Sequence, residues 1–207
     1  MEPTTEDPLA EFVAVMRRLR AECPWKKEQT HRSLARYLLE ETHETLEAID
    51  TGDVAHLREE LGDLLLQVVF HAVIAEQAGE FDLDDVARDI TAKMIRRNPH
   101  VYGPDGGAAG SADAPDAATV TEVWESIKAT EKGRGRRDHP DAVLDLPPTL
   151  PALLYADKVL NRLERAGAAP PTAGDDLGDR LLALVAEGRR TGIDPEQALR
   201  DAVRRLP

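Results

Sequence analysis

Residues 59–74, EELGDLLLQVVFHAVI, combine an acidic pair at helical spacing with a run that is apolar on nearly every side. A helix of this kind in a soluble protein is buried on several faces, so the stretch predicts a central helix of the core. Glu60 and Asp63 are three positions apart and share one face of that helix. The sequence thus places two carboxylates on a helix that is at least partly enclosed.

A second acidic pair, Glu41 and Glu44, lies on the preceding predicted helix. The turn Thr51-Gly52-Asp53 separates the two helices, with Gly52 suited to end the first and Asp53 to cap the second. If the turn folds them antiparallel, both pairs face one groove. Converging carboxylates repel one another unless a cation lies between them, and oxygen ligands without cysteine favour Mg²⁺ or Mn²⁺ over zinc.

A metal held in this way suits phosphoanhydride hydrolysis, because it offsets charge on phosphate oxygens and orients an attacking water. Glu40 and Glu47 remain open at this point: each could be a ligand, the base that activates water, or a surface residue. The competing interpretation of the whole set is that of solvated surface acids.

The periodicity of the chain predicts an all-α protein, since no segment alternates like a strand. The predicted helices cover about 9–21, 33–49, 54–78, 83–97, 121–132 and 150–166, followed by two further helical segments. Residues 59–66 recur as residues 175–182, and the segment from Asp82 recurs loosely from Asp194. The second copy keeps only Asp176 and Asp179 of the acidic residues, which indicates a degenerate repeat.

The formal net charge of −13 argues against binding to DNA or RNA, which needs a basic face. The N-terminal residues lack the basic and then apolar pattern of a signal peptide, and we expect a cytoplasmic protein without a membrane span. Cys23 is the only cysteine, so an internal disulfide is excluded.

Basic and aromatic residues on later helices could complete a site. Lys93, Arg96 and Arg97 lie at helical spacing near a helix C-terminus, where cations also complement the helix dipole. Trp124 and Lys128 share one face of another helix, which could stack a base and bind phosphate. Helix capping and amphipathic packing are the respective alternatives.

An ordered series of motifs between about residues 9 and 165 resembles the MazG-type nucleoside triphosphate pyrophosphohydrolases. The series is Cys23-Pro24-Trp25, Gln29-Thr30-His31, Tyr37-Leu38-Leu39-Glu40-Glu41, residues 57–71, residues 96–103 and Trp124-Glu125-Ser126-Ile127-Lys128. Members commonly carry an acid after Pro24-Trp25, where this chain has Lys26.

The resemblance implies a four-helix-bundle-like core completed by homodimerisation and Mg²⁺-dependent conversion of an NTP to NMP and pyrophosphate. It implies Glu41, Glu44, Glu60 and Asp63 as metal ligands, with Glu41 and Glu40 as catalytic candidates. Substrate contacts are expected from Lys93, Arg96, Arg97, Trp124 and Lys128. The predicted division is a catalytic domain over 1–102, a linker over 103–118, a helical extension over 119–168 and the degenerate repeat over 169–207.

Two other functions compete with this one. Glu40-x-x-His43 matches half of the ligand pattern of a ferritin-like di-iron oxidase, although that fold expects a second such pair. A non-catalytic helical protein that senses nucleotides or binds a basic partner would use the same acidic groove.

Overall fold

The computed structural model describes residues 7–103, 116–135, 146–168 and 174–207. Those ranges contain nine α-helices and no strand, which confirms the predicted all-α class. Residues 104–115 of the predicted linker, 103–118, lie outside them, and its last two residues belong to a helix. The helices are α1 (Pro8–Glu22), α2 (Pro24–Glu28), α3 (His31–Thr51), α4 (Val54–Ala78), α5 (Leu83–Arg97), α6 (Ala117–Gly135), α7 (Ala152–Arg165), α8 (Leu177–Thr191) and α9 (Pro195–Arg204).

The short helix α2 is absent from the sequence prediction. Cys23-Pro24 was interpreted as the end of α1, but proline is also well tolerated in the first turn of a helix. The structure uses it in both senses: Cys23 caps α1, and Pro24 begins α2. The bounds of α4 and α5 agree with the prediction, whereas α3, α6 and α7 differ from it by two to four residues at one or both ends.

Helices α3 and α4 form an antiparallel hairpin and make the most extensive helix contact of the described part. Gly52 ends α3 with a φ of 72°, a left-handed backbone conformation that residues other than glycine rarely adopt. The Asp53 carboxylate then accepts hydrogen bonds from the backbone N–H groups of Ala55 and His56, confirming its role as the N-cap of α4. The turn therefore fixes the position at which the first turn of α4 begins.

The core of the N-terminal unit joins α1, α3 and α4. Its buried apolar side chains are Val13, Met16, Leu34, Val69, Phe70 and Val73. By length and composition alone α4 could cross a membrane, but core helices of soluble proteins meet the same test. Val69, Phe70 and Val73 place the second half of α4 in this core, whereas Glu60 and Asp63 lie in the half near the α3–α4 turn.

Contacts divide the chain into an N-terminal unit, Met1–Ala129, and a C-terminal unit, Thr130–Pro207. In the described part of the C-terminal unit, α7, α8 and α9 pack together around Leu160 and Val185. Arg189 on α8 donates to Asp157 at 2.7 Å and to Glu164 at 2.8 Å, both on α7. These ion pairs tie the two helices together.

In both copies of the repeat, a glycine ends one helix and an aspartate caps the next. Gly79 and Gly192 end α4 and α8 with φ angles of 73° and 72°. Asp82 and Asp194 then cap the helices that follow, α5 and α9. The acidic positions differ, however, because Asp176 is the N-cap of α8, whereas Glu60 lies well inside α4.

Candidate metal centre

The α3–α4 hairpin brings three carboxylates together. One ligand oxygen from each of Glu41, Glu60 and Asp63 lies within 4.8 Å of the others. Glu41 comes from α3, while Glu60 and Asp63 come from one face of α4. The antiparallel turn at Gly52 therefore assembles the groove that the spacing of the two acidic pairs predicts.

Glu60 is the most deeply placed of the three. Glu60 is only 7% exposed, and its Oε1 lies 3.0 Å from Nε2 of His56, an ion-pair contact at i,i+4 spacing. Its Oε2 is buried, and no described residue gives it a hydrogen-bond partner. A buried carboxylate oxygen requires a donor, a water or a cation. This orphaned oxygen, inside a group of three acids, fits a divalent metal ion.

The electrostatics of Glu41 agree with that fit. Partial burial raises the pKa of Glu41, and the negative charge of Asp63 raises it further. Glu44 and Glu60 act in the same direction. The acidic neighbours therefore oppose the ionisation of Glu41 in the absence of a cation, and a bound divalent ion would offset that repulsion.

Glu44, Glu40 and Glu47 lie outside the three-residue cluster, and all are exposed. Glu44 nonetheless lies close enough to Glu41 for its negative charge to raise the pKa of Glu41. Glu40 lies 3.5 Å from Arg36 on the same helix. The structure thus places Glu44 at the edge of the cluster, and Glu40 in an exposed ion pair one residue before Glu41.

The di-iron alternative receives no support from this geometry. In the part of the chain that the structure describes, the one cluster with metal-ligand spacing contains carboxylates and no histidine. His43 is exposed, and Glu40 faces Arg36.

Among the predicted substrate contacts, the structure joins Arg97 to Trp124. The guanidinium carbon of Arg97 lies 5.3 Å from the centre of the Trp124 ring, a cation–π distance. Lys93 is half-buried and Arg96 exposed on α5. Lys128 lies on α6, but its side chain is outside the described part. Their contacts with substrate remain predictions.

Three polar residues near the cluster were missed by the sequence analysis. His56, which holds Glu60, has the i,i+4 spacing that could have identified it. Gln67 and His71 continue the acidic face along α4, and Oε1 of Gln67 and Nε2 of His71 are buried with no described partner. The contact of His71 with His31 on α3 joins residues 40 positions apart, and no local pattern indicates it.

Lys26 occupies the position where the resemblance to the MazG-type enzymes predicts an acid. Its ammonium lies 5.5 Å from the centre of the Trp25 ring and 5.0 Å from that of Phe70. The side chain therefore covers aromatic surface at the edge of the core, and its stem and charge both take part in that contact.

The fold and the site together define an all-α protein with a carboxylate centre suited to a divalent metal. The sequence profile of the MazG nucleotide pyrophosphohydrolase domain matches residues 29–102, which include both acidic pairs. The chain belongs to the MazG family, as the resemblance predicted.

Individual relatives extend the match over most of the chain. It is 36% identical to the nucleoside triphosphate pyrophosphohydrolase/pyrophosphatase MazG of Thermotoga maritima, over 95% of this chain and 81% of that protein. It is 45% identical to a nucleoside triphosphate pyrophosphohydrolase of Mycolicibacterium smegmatis, over 98% of this chain and 58% of that one. The crystal structure of a mazG-related protein from Thermotoga maritima is 22% identical, covers 58% of this chain and 98% of its own, and superposes with a TM-score of 0.49.

Proposed function

We propose that this chain is a divalent-metal-dependent nucleoside triphosphate pyrophosphohydrolase that converts (d)NTPs to (d)NMPs and pyrophosphate. The observation that supports it most is the cluster of Glu41, Glu60 and Asp63 with its orphaned buried oxygen. Relatives that carry this activity in their names match nearly the whole chain. Mg²⁺ is the proposed ion, with Mn²⁺ as a substitute, because all ligand atoms are oxygens.

In this proposal Glu41, Glu60 and Asp63 hold the ion, and Glu44 joins them from the edge of the groove. The ion supplies positive charge to the phosphate oxygens and to an attacking water. The oxygen of water bonds to the α-phosphorus, the bond between this phosphorus and the α–β bridging oxygen breaks, and pyrophosphate leaves. The proton from water passes to a carboxylate of the chain.

Two carboxylates are candidates for receiving that proton. Burial and acidic neighbours raise the pKa of Glu41, which favours it as a proton acceptor. Glu40 is exposed and next to it in sequence, and its nearest described cation is Arg36. We propose Glu41 first and Glu40 second. The aromatic and basic residues Lys93, Arg96, Arg97, Trp124 and Lys128 are proposed to contact base and phosphates.

A second copy of the chain is proposed to complete the bundle. Several large apolar side chains of α3 and α4 are exposed in the single chain: Leu38, Leu39, Leu61, Leu65 and Val68. Several large apolar side chains exposed on one helical hairpin favour an interaction site, and homodimers are the commonest assemblies. A homodimer built on the α3–α4 hairpin would cover this surface and enclose the groove.

A role in clearing canonical and damaged nucleotides from the cytoplasmic pool belongs to the same proposal. The test is a panel of NTPs and dNTPs, each incubated with Mg²⁺, Mn²⁺, Ca²⁺ or EDTA, with separated nucleotide products. Mg²⁺- or Mn²⁺-dependent NMP and pyrophosphate support the proposal. Tight nucleotide binding without turnover under every condition would instead favour a nucleotide-sensing protein.

A further inference from the structure

His56 differs from the other ion-pair residues of the described helices because its partner, Glu60, is a candidate metal ligand. It occupies the first turn of α4, one helical turn before Glu60, and its Nε2 lies 3.0 Å from Oε1 of that residue. The Glu60 side chain is only 9% exposed and that of His56 36%. The contact therefore lies at the inner edge of the groove, where water competes little for the carboxylate of Glu60.

The two oxygens of Glu60 have different surroundings. Oε1 lies in ion-pair contact with Nε2 of His56, while Oε2 is buried and has no partner among the described residues. A carboxylate with one oxygen fixed by a donor has less freedom to rotate. Its second oxygen is then directed by the first, as in metal sites where an outer hydrogen bond orients a ligand.

The backbone of His56 is itself held in place. Its N–H donates to Oδ1 of Asp53 at 3.1 Å, and the N–H of Ala55 donates to the same atom at 2.9 Å. The cap fixes the first turn of α4, and i,i+4 spacing then places the imidazole beside Glu60. The turn between the two acidic pairs thus also sets the position of the donor.

We propose that His56 is a positioning residue of the metal centre: its Nε2–H holds Oε1 of Glu60 and so presents Oε2 to a divalent cation. The inference rests on the proposed function, because it assumes that Glu60 is a ligand. A neutral imidazole that carries its proton on Nε2 can donate to Oε1, so the proposal needs no charge on the ring.

An ordinary helical ion pair is the competing explanation. Arg18 and Glu22 form such a pair at 3.1 Å on α1, with side chains that are 74% and 63% exposed. Exposed ion pairs of this kind contribute little to the stability of the fold. Arg18→Leu therefore provides a matched control, since it breaks an i,i+4 pair far from the carboxylate cluster in sequence and on another helix.

The experiment measures binding of Mn²⁺ to the full chain by the electron paramagnetic resonance signal of the free ion. His56→Leu and His56→Ala remove the donor, and His56→Gln keeps a side-chain N–H. We expect the dissociation constant for Mn²⁺ to rise by about tenfold or more in the first two variants. His56→Gln and Arg18→Leu should remain close to wild type, and circular dichroism should show unchanged helix content.

The outcomes separate this inference from the proposed function. If wild type binds Mn²⁺ and Glu60→Gln loses it, unchanged affinity in His56→Leu and His56→Ala overturns the positioning role alone. Equal losses in His56→Gln and His56→Leu would also overturn it, because the retained donor should rescue binding. If wild type and Glu60→Gln bind Mn²⁺ equally, the metal assignment of Glu60 fails, and the role of His56 fails with it.

Discussion

His31 and His71 face each other across the α3–α4 hairpin, with their Nδ1 atoms 2.7 Å apart. Their ring planes differ by 4°, and the ring centres are 5.0 Å apart. A centre-to-centre distance so much longer than the contact between nitrogens means that the rings meet edge to edge. One Nδ1 donates its proton and the other accepts it, so the pair joins the start of α3 to α4 by a hydrogen bond.

This pair predicts a pH-dependent stability. Burial lowers the pKa of His71, and the neighbouring His31 lowers it further. The unfolded chain therefore takes up a proton near the usual value of 6.5 before the folded chain does, and stability falls as pH decreases below that value. Chemical denaturation between pH 7.5 and 5.5 should show this loss. His71→Phe should show less of it, and an equal loss in both proteins would contradict the prediction.

The repulsion within the carboxylate cluster predicts stabilisation by metal. A cation that binds only the folded chain raises its melting temperature by mass action. Mg²⁺ or Mn²⁺ should therefore raise the melting temperature of wild type in a concentration-dependent way, and EDTA should reverse the shift. Asp63→Asn should show a smaller response. The control is Asp85→Asn on α5, outside the cluster, which should respond like wild type.

Glu41 predicts a variant that loses activity without losing stability. Its pKa is raised above the usual 4.5 by burial and by its acidic neighbours, so the ionised group opposes folding at neutral pH without metal. Glu41→Gln should thus be at least as stable as wild type in EDTA. Because only ionised Glu41 opposes folding, this difference in stability should shrink as pH falls through the raised pKa of Glu41 and vanish below 4.5. Denaturant titrations of both proteins across that range measure it, and a destabilised Glu41→Gln at neutral pH would be inconsistent with the electrostatic account.

The C-terminal acidic pair, Asp176 and Asp179, predicts a variant that loses stability without losing activity. Asp176 accepts a hydrogen bond from the N–H of Asp179 at 2.8 Å as the N-cap of α8. Asp176→Ala should lower the free energy of unfolding by about 1 kcal/mol, whereas Asp176→Asn should retain most of the cap. Pyrophosphate release should be the same in both variants. Loss of activity in Asp176→Asn would indicate that the second repeat takes part in chemistry.

The helices around the site were predictable because local signals agree there. The apolar run of residues 64–74, the glycine at position 52 and the capping role of Asp53 all point to the same hairpin. The spacing of the acidic residues then indicates which faces meet. Glu44 shows the limit of that reasoning: helical spacing gives it the face of Glu41, but its side chain is exposed and lies outside the cluster of three carboxylates.

Contacts between distant parts of the chain were not predictable in this way. The His31–His71 hydrogen bond and the cation–π contact of Arg97 with Trp124 depend on how helices pack. No local sequence pattern links the two residues of either pair. Pro24 shows a different difficulty. A proline can end one helix and begin the next, and the sequence alone did not distinguish a break from a short helix.

The most direct test of the central claim compares products from wild type and Glu41→Gln after incubation with a dNTP and Mg²⁺. Anion-exchange chromatography separates the nucleotides, and pyrophosphate and orthophosphate are measured in parallel. The account predicts equal amounts of dNMP and pyrophosphate from wild type and almost none from Glu41→Gln. Release of dNDP and orthophosphate by wild type, or equal turnover by the variant, would contradict it.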